Sequence, residues 1–234
     1  MYKYKFTIFT PTYNREYTLQ RLYSDLKKQT YKDFEWLIVD DGSTDNTEEV
    51  VKSYNDDRIK YIKCEHNFIN SRNESLRHVS GKYIKFIDSG DIINIDCIKD
   101  SVDYLEKHEY IDGLINSNRH YTDTIQDEGE LFREYKFAYT WVGIPASLFF
   151  KSSFLDYFNR KKYYFDEFKI GGEDQQFIKM LIRFGAKIHT ISSKNTNYII
   201  NKNCENPSNW NLIESVKMIM DDLLLITLYN KYNK

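Results

Sequence analysis

The chain has 234 residues, 41% hydrophobic and 29% charged, enough to bury one sizeable core or two closely packed lobes. With 33 basic and 35 acidic residues the net charge is -2, so no overall positive field favours nucleic acid or an anionic membrane. No apolar run approaches the ~20 residues that cross a bilayer, and the opening Met1-Tyr2-Lys3-Tyr4 carries no secretion-signal pattern.

Residues 6–10 form a β-branched and aromatic run broken by Pro11-Thr12-Tyr13-Asn14, after which Leu19, Leu22 and Leu26 recur at helical spacing. Residues 35–39 read as a second strand and stop at Asp40-Asp41-Gly42-Ser43. Asp45 and Glu48 predict a capping pair on a helix that buries Val50, Val51 and Tyr54. Residues 59–63 form a weaker third strand. Ser71 and Glu74 predict another capping box, on a helix carrying Leu76 and Val79 that Gly81 closes in the left-handed conformation. Residues 82–87 form the fourth strand, because Tyr83, Ile84, Phe86 and Ile87 suit a sheet interior, and it delivers Asp88-Ser89-Gly90-Asp91. Ile95, Ile98, Val102 and Leu105 then mark a helix face, and residues 113–121 a fifth strand. Residues 122–139 lack a clear period and read as a long loop, of a length that suits a lid or binding loop. Residues 146–150 read as a strand and 154–158 as a short helix. Gly171-Gly172-Glu173-Asp174 opens a helix with Phe177, Met180, Leu181 and Phe184 inward, closed by Gly185, and residues 186–191 return as a strand. Residues 209–229 form an amphipathic helix that can close the core, join a homodimer or lie on a membrane surface.

Strands alternating with helices predict an α/β fold with a mostly parallel central sheet, right-handed crossovers and helices on both faces. The loops at 11–14, 40–43 and 88–91 all follow the carboxyl end of a strand, so such a sheet brings them to the edge where open α/β sheets bind ligands. Neither Gly-x-Gly-x-x-Gly after the first strand nor Gly-x4-Gly-Lys-Ser/Thr is present, which excludes the common dinucleotide and P-loop sites. In the acidic cleft that remains, Tyr13 can stack on a base and Asp41 can accept a base N–H. Asp88 and Asp91 can hold Mg²⁺ or Mn²⁺ together with substrate phosphates, or can simply make a turn. Glu173 and Asp174 can supply a general base or can cap a helix.

Other groups point less clearly. His66, His78, His108, His120 and His189 show no ligand spacing, and His189 reads as structural. Arg160-Lys161-Lys162 can rest on anionic lipid or a lipid diphosphate, or form a solvated face, and Trp141 can stack on a sugar or fill core. The three cysteines, Cys64, Cys97 and Cys204, are odd in number and far apart, so neither a disulfide framework nor a zinc site is expected and a reducing cytoplasm fits.

Thr10-Pro11-Thr12-Tyr13-Asn14, Val39-Asp40-Asp41-Gly42-Ser43-Thr44-Asp45 and Gly81-Lys82-Tyr83 leading into Asp88-Ser89-Gly90-Asp91 together resemble the family 2 inverting nucleotide-sugar glycosyltransferases of the GT-A fold. The resemblance implies a nucleotide-sugar donor, most simply a UDP-sugar, held by Pro11, Thr12, Tyr13, Asp40, Asp41 and Arg72. It implies Mn²⁺ or Mg²⁺ at Asp88 and Asp91. Many relatives have Asp where this chain has Gly90, which leaves open which carboxylate touches the ion. Asp174 matches the family's base, with Glu173 beside it. The acceptor implied is a glycan or lipid-linked saccharide hydroxyl, in a cytoplasmic setting at or near the membrane. No Gln-x-x-Arg-Trp pattern is present, so one sugar per encounter is expected. The expected division is a nucleotide-sugar half at 1–121, an acceptor half at 122–200 and a helical extension at 201–234. The alternative is a catalytically silent nucleotide-sugar-binding subunit of a glycan-assembly complex.

Overall fold

The computed structural model describes residues 2–117, 129–131, 148–155, 177, 181, 185–192 and 198–199. The chain alternates β1 (Tyr4–Thr12), α1 (Glu16–Lys28), β2 (Phe34–Asp40), α2 (Thr47–Ser53), β3 (Ile59–Lys63), α3 (Phe68–Leu76) and β4 (Gly81–Phe86). It continues with β5 (Ile92–Ile93), α4 (Cys97–Lys107), β6 (Gly113–Ser117), β7 (Gly129–Leu131), β8 (Leu148–Lys151), β9 (Ile188–Ser192) and β10 (Tyr198–Ile199). An eight-stranded sheet has the order β3-β2-β1-β4-β8-β6-β9-β7, and β10 pairs with β5 separately. Within the large sheet every strand except β7 and β8 runs the same way. The expected mostly parallel sheet is therefore present.

Successive side chains of a strand point to opposite faces, and the strands use that period to build two cores. Phe6, Ile8, Trp36, Ile38 and Tyr83 face Leu19, Leu22 and Leu26 of α1, Val51 of α2 and Ile98, Val102 and Leu105 of α4. Phe9, Leu37, Val39 and Ile84 face Leu76 of α3 with Leu155, Phe177 and Leu181. Helices therefore cover both faces. All of β2 is buried, the near-continuous apolar run expected of a strand covered on both sides.

Local signals mislead at several points. Gly81 does not close α3; it lies inside β4, where a Cβ would stand 2.5 Å from Phe6 C and Thr7 N of the neighbouring strand. Its smallness lets β1 and β4 approach. The Ser71–Glu74 capping box is also absent, because α3 already begins at Phe68 and Glu74 pairs instead with Arg77. The residue before α2 is Asn46, and Glu48 binds Lys52 and Lys63 rather than reaching back. Val50 and Tyr54 are half-buried, and Ile95 is 47% exposed, ahead of α4 rather than on its buried face. Gly185 adopts φ +88 as expected. β7 falls within the stretch read as loop, paired to β9. The remainder of 122–139, together with Met180, Phe184, Trp141, the 160–162 basic run and the 209–229 helix, lies outside the described residues.

Candidate active site

Register places the loops. Thr12 pairs with Asp40, Phe9 pairs with Phe86, and Ile87 N donates to Phe9 O at 3.0 Å, so the carboxyl ends of β1, β2 and β4 share one edge. Asn14 knits the first two loops from a left-handed backbone at φ 51, which Asn tolerates better than most residues. Its Oδ1 accepts from Thr44 N at 2.8 Å and Asp45 N at 3.3 Å, and its own N–H donates to Ser43 Oγ at 2.9 Å. Asp45 in turn accepts from Thr47 N and Glu16 N. Burial pushes its carboxyl upward, but these hydrogen bonds outweigh it and hold the pKa below the usual range.

The paired aspartates after β2 have different tasks. Asp40 is fully buried; its Oδ1 accepts from Ser43 N at 2.7 Å and its Oδ2 from the Tyr61 hydroxyl. Burial and then the Asp40 bond push the Tyr61 phenol well above its ordinary pKa, so it remains a donor. Asp40 thus braces the loop from inside. Asp41 is 5% exposed and oriented by α3: its Oδ1 accepts from Asn67 N at 2.7 Å and Ser71 Oγ at 2.5 Å. This is what Ser71 does in place of capping a helix. Gly42, at φ +80, makes the turn between the two acidic contacts and the chain at His66.

Around Asp41, Tyr13 presents an aromatic face, 42% exposed, and Pro11 is half-buried. Thr12 Oγ1 is buried and finds no hydrogen-bond partner among the described residues. Arg72 follows Ser71 on α3 and is half-buried. An aromatic plane, a pre-oriented carboxylate and loop backbone are what a flat heterocycle with an N–H edge requires.

The 88–91 loop closes on itself: Asp91 Oδ2 accepts from Asp88 N at 2.8 Å, and Asp91 N donates to Asp88 O at 3.0 Å. Asp88 is exposed and Asp91 6% exposed. Arg21 of α1 clamps the loop by donating to Gly90 O and, at 3.5 Å, to Asp91 O. Among the described residues no three His, Cys, Asp or Glu side chains gather into a metal cage. Two carboxylates at a strand end fit a Mg²⁺ or Mn²⁺ that takes most of its ligands from water and a diphosphate. Beneath them Lys85 is buried in β4, 4.2 Å from the Phe149 ring centroid. Burial lowers its pKa, while Cys97, Asp91 and Asp88 pull it the other way.

Arg21, Lys85, Ser71 and His66 are contributors that local patterns did not reveal. His189 packs on Tyr104, whose hydroxyl lies 3.2 Å from its Nδ1, away from this edge. Glu173 and Asp174 lie outside the described residues. Among the described residues no helix is long and apolar enough to cross a membrane.

Residues 7–165 match the profile of "Glycosyl transferase family 2". Over 91 residues, 38% of this chain and 36% of the relative, identity is 41% to "UDP-Glc:alpha-D-GlcNAc-diphosphoundecaprenol beta-1,3-glucosyltransferase WfgD" of Escherichia coli. Over 110 residues, 44% of this chain and 19% of the relative, it is 36% to "Poly(ribitol-phosphate) beta-N-acetylglucosaminyltransferase TarS" of Staphylococcus aureus. The crystal structure of S. aureus TarS 1-349 in complex with UDP matches with a TM-score of 0.69 at 27% identity, covering 83% of this chain and 59% of that one. The chain thus spans less than two thirds of the length of each of these proteins. Because the profile spans more than half of the chain and all three edge loops, the chain belongs to glycosyl transferase family 2 and has the GT-A fold.

Proposed function

We propose that the chain transfers a sugar from a UDP-sugar to a hydroxyl of a glycan or lipid-linked saccharide, with inversion and one sugar per encounter. The observation that carries this reading is Asp41, a nearly buried carboxylate aimed by Asn67 N and Ser71 Oγ on the same edge as the half-exposed Tyr13. Tyr13 stacks on uracil and Asp41 accepts its N–H, with Pro11 and Thr12 lining the base, Asp40 bracing the loop and Arg72 near the phosphates. The similarity to TarS, solved with UDP, and to a UDP-glucose transferase supports that donor.

Asp88 and Asp91 would hold a Mn²⁺ or Mg²⁺, and Arg21 keeps their loop in place. When bound, such an ion offsets the negative charge that builds on the departing diphosphate. Asp174, with Glu173 beside it, takes the proton of the acceptor hydroxyl as that oxygen attacks the anomeric carbon from the face opposite the diphosphate. The bond to UDP breaks with its electron pair leaving on the diphosphate.

The silent-subunit alternative draws on Gly90 and on the engagement of Asp91 with the Asp88 amide, which leave few protein ligands for an ion. UDP release from UDP-GlcNAc and UDP-glucose, followed with Mn²⁺ or with chelator in the presence of acceptor saccharides, separates the two. Metal-dependent release that falls about 10²–10⁴-fold in Asp174→Asn, with UDP affinity kept, is expected for the transferase. UDP binding with no release from either donor would favour the silent subunit, and undiminished release in Asp174→Asn would remove that residue from the chemistry.

A further inference from the structure

Both features that would recognise the base already have a partner within the chain. The His66 imidazole stacks on Tyr13, with centroids 4.5 Å apart and planes 28° from parallel. Its Nδ1 lies 2.9 Å from Asp41 Oδ2 and 2.9 Å from Asp41 O. Asp41 Oδ1 is already taken by Asn67 N and Ser71 Oγ, so Oδ2 is the oxygen left for a base N–H, and the His66 ring, bonded through Nδ1 to Asp41 O, lies against it. The His66 side chain is 62% exposed while that of Asp41 is 6% exposed, so the imidazole forms the cover over the carboxylate. A flat aromatic ring with an N–H edge is the same chemistry as the pyrimidine expected there.

We infer that His66 is a built-in surrogate for the donor base: its imidazole lies on the Tyr13 ring and against Asp41, where the base would sit, and swings into solvent when the nucleotide enters. The inference rests on the uridine-site reading of Tyr13 and Asp41. A Cβ on Gly42 would stand 3.0 Å from His66 N and 3.2 Å from His66 Cβ, so the two stretches of chain lie close and it is the exposed ring that moves. A site that is closed most of the time binds with an affinity reduced by its open fraction. Removing the imidazole therefore tightens nucleotide binding, and His66 sets how much donor is needed to fill the site.

The test is calorimetric titration of UDP into the wild-type chain, His66→Ala and His66→Phe, with imidazole resonances followed by NMR in the wild type. His66→Ala is expected to bind UDP roughly five- to thirtyfold more tightly. His66→Phe, which keeps a stacking ring but loses the bond to Asp41, is expected to fall between the two. In the wild type the His66 resonances should move toward solvent-exposed values as UDP saturates. Unchanged or weaker binding by His66→Ala, with clear wild-type binding, would overturn the inference, leave the uridine site standing and make the imidazole a fixed platform. Absence of UDP binding in the wild type and His66→Ala alike would overturn the uridine-site reading itself.

Discussion

Asp41 works only as well as the groups that aim it. Ser71→Ala deletes a 2.5 Å hydrogen bond to Oδ1, and bonds to charged groups contribute ~1.5–3 kcal/mol. Because Asn67 N still aims Oδ1, only part of that reaches the nucleotide: UDP affinity is expected to fall by up to roughly tenfold in this variant while its circular dichroism stays that of the wild type; equal affinity by titration would show that Ser71 does not shape the site. That Tyr13 and Asp41 share one edge was legible in the sequence, because each stands in a loop that follows the carboxyl end of a parallel strand. Ser71 was not. Ser-x-x-Glu matches a local capping pattern, and nothing nearby announces that the true acceptor lies 30 positions away. His66 was judged by metal-ligand spacing, whereas the inference about it follows from a stack on Tyr13 and a hydrogen bond to Asp41 O across two loops. Lys85 sits in a run of apolar residues whose period gives no hint that a lysine is buried among them.

The sheet elements are where packing overrides local signals. Gly81→Ala would drive a Cβ to 2.5 Å from the β1 backbone, so the β1–β4 pairing must shift, and overpacking of this kind costs about 1–3 kcal/mol. Gly185→Ala meets no atom within 4 Å and pays only for its positive φ, about 1–2 kcal/mol. Urea melts should show Gly81→Ala the less stable of the two and the one that also loses UDP binding, because β4 carries the acidic loop; the reverse order would place the strain elsewhere. On α1, Leu22 is fully buried under the sheet, so Leu22→Ala is expected to cost about 2–5 kcal/mol in the same assay. The 19, 22, 26 spacing was readable because an amphipathic helix repeats its contact every turn. β7 was not readable, since a three-residue strand owes its existence to pairing with β9, far along the chain. Gly81 looked like a helix stop for a related reason: its role lies in the strand beside it.

At the scale of the molecule, tyrosines couple stability to pH. Burial pushes Tyr31 and Tyr54 to about 12, from an ordinary 10.0, and raises Tyr61 further in the presence of Asp40. Above pH ~10 the unfolded chain loses these protons while the folded chain keeps them, so folding stability falls as pH rises from about 10 to 12. Denaturant melts across pH 8–11 should show that decline, with a shallower slope in Tyr61→Phe; a flat profile would contradict the burial of these phenols. The overall architecture was the most legible feature, because alternating strand and helix signals with polar loops after each strand imply one ligand edge whatever the local errors. The central claim is that this edge binds the uridine of a donor, and the most direct measurement is a calorimetric comparison of UDP and GDP against the wild-type chain and Asp41→Asn. The account predicts that UDP binds more tightly than GDP and that Asp41→Asn loses most of that preference. Equal binding of the two nucleotides, or UDP binding unaffected by Asp41→Asn, would contradict it.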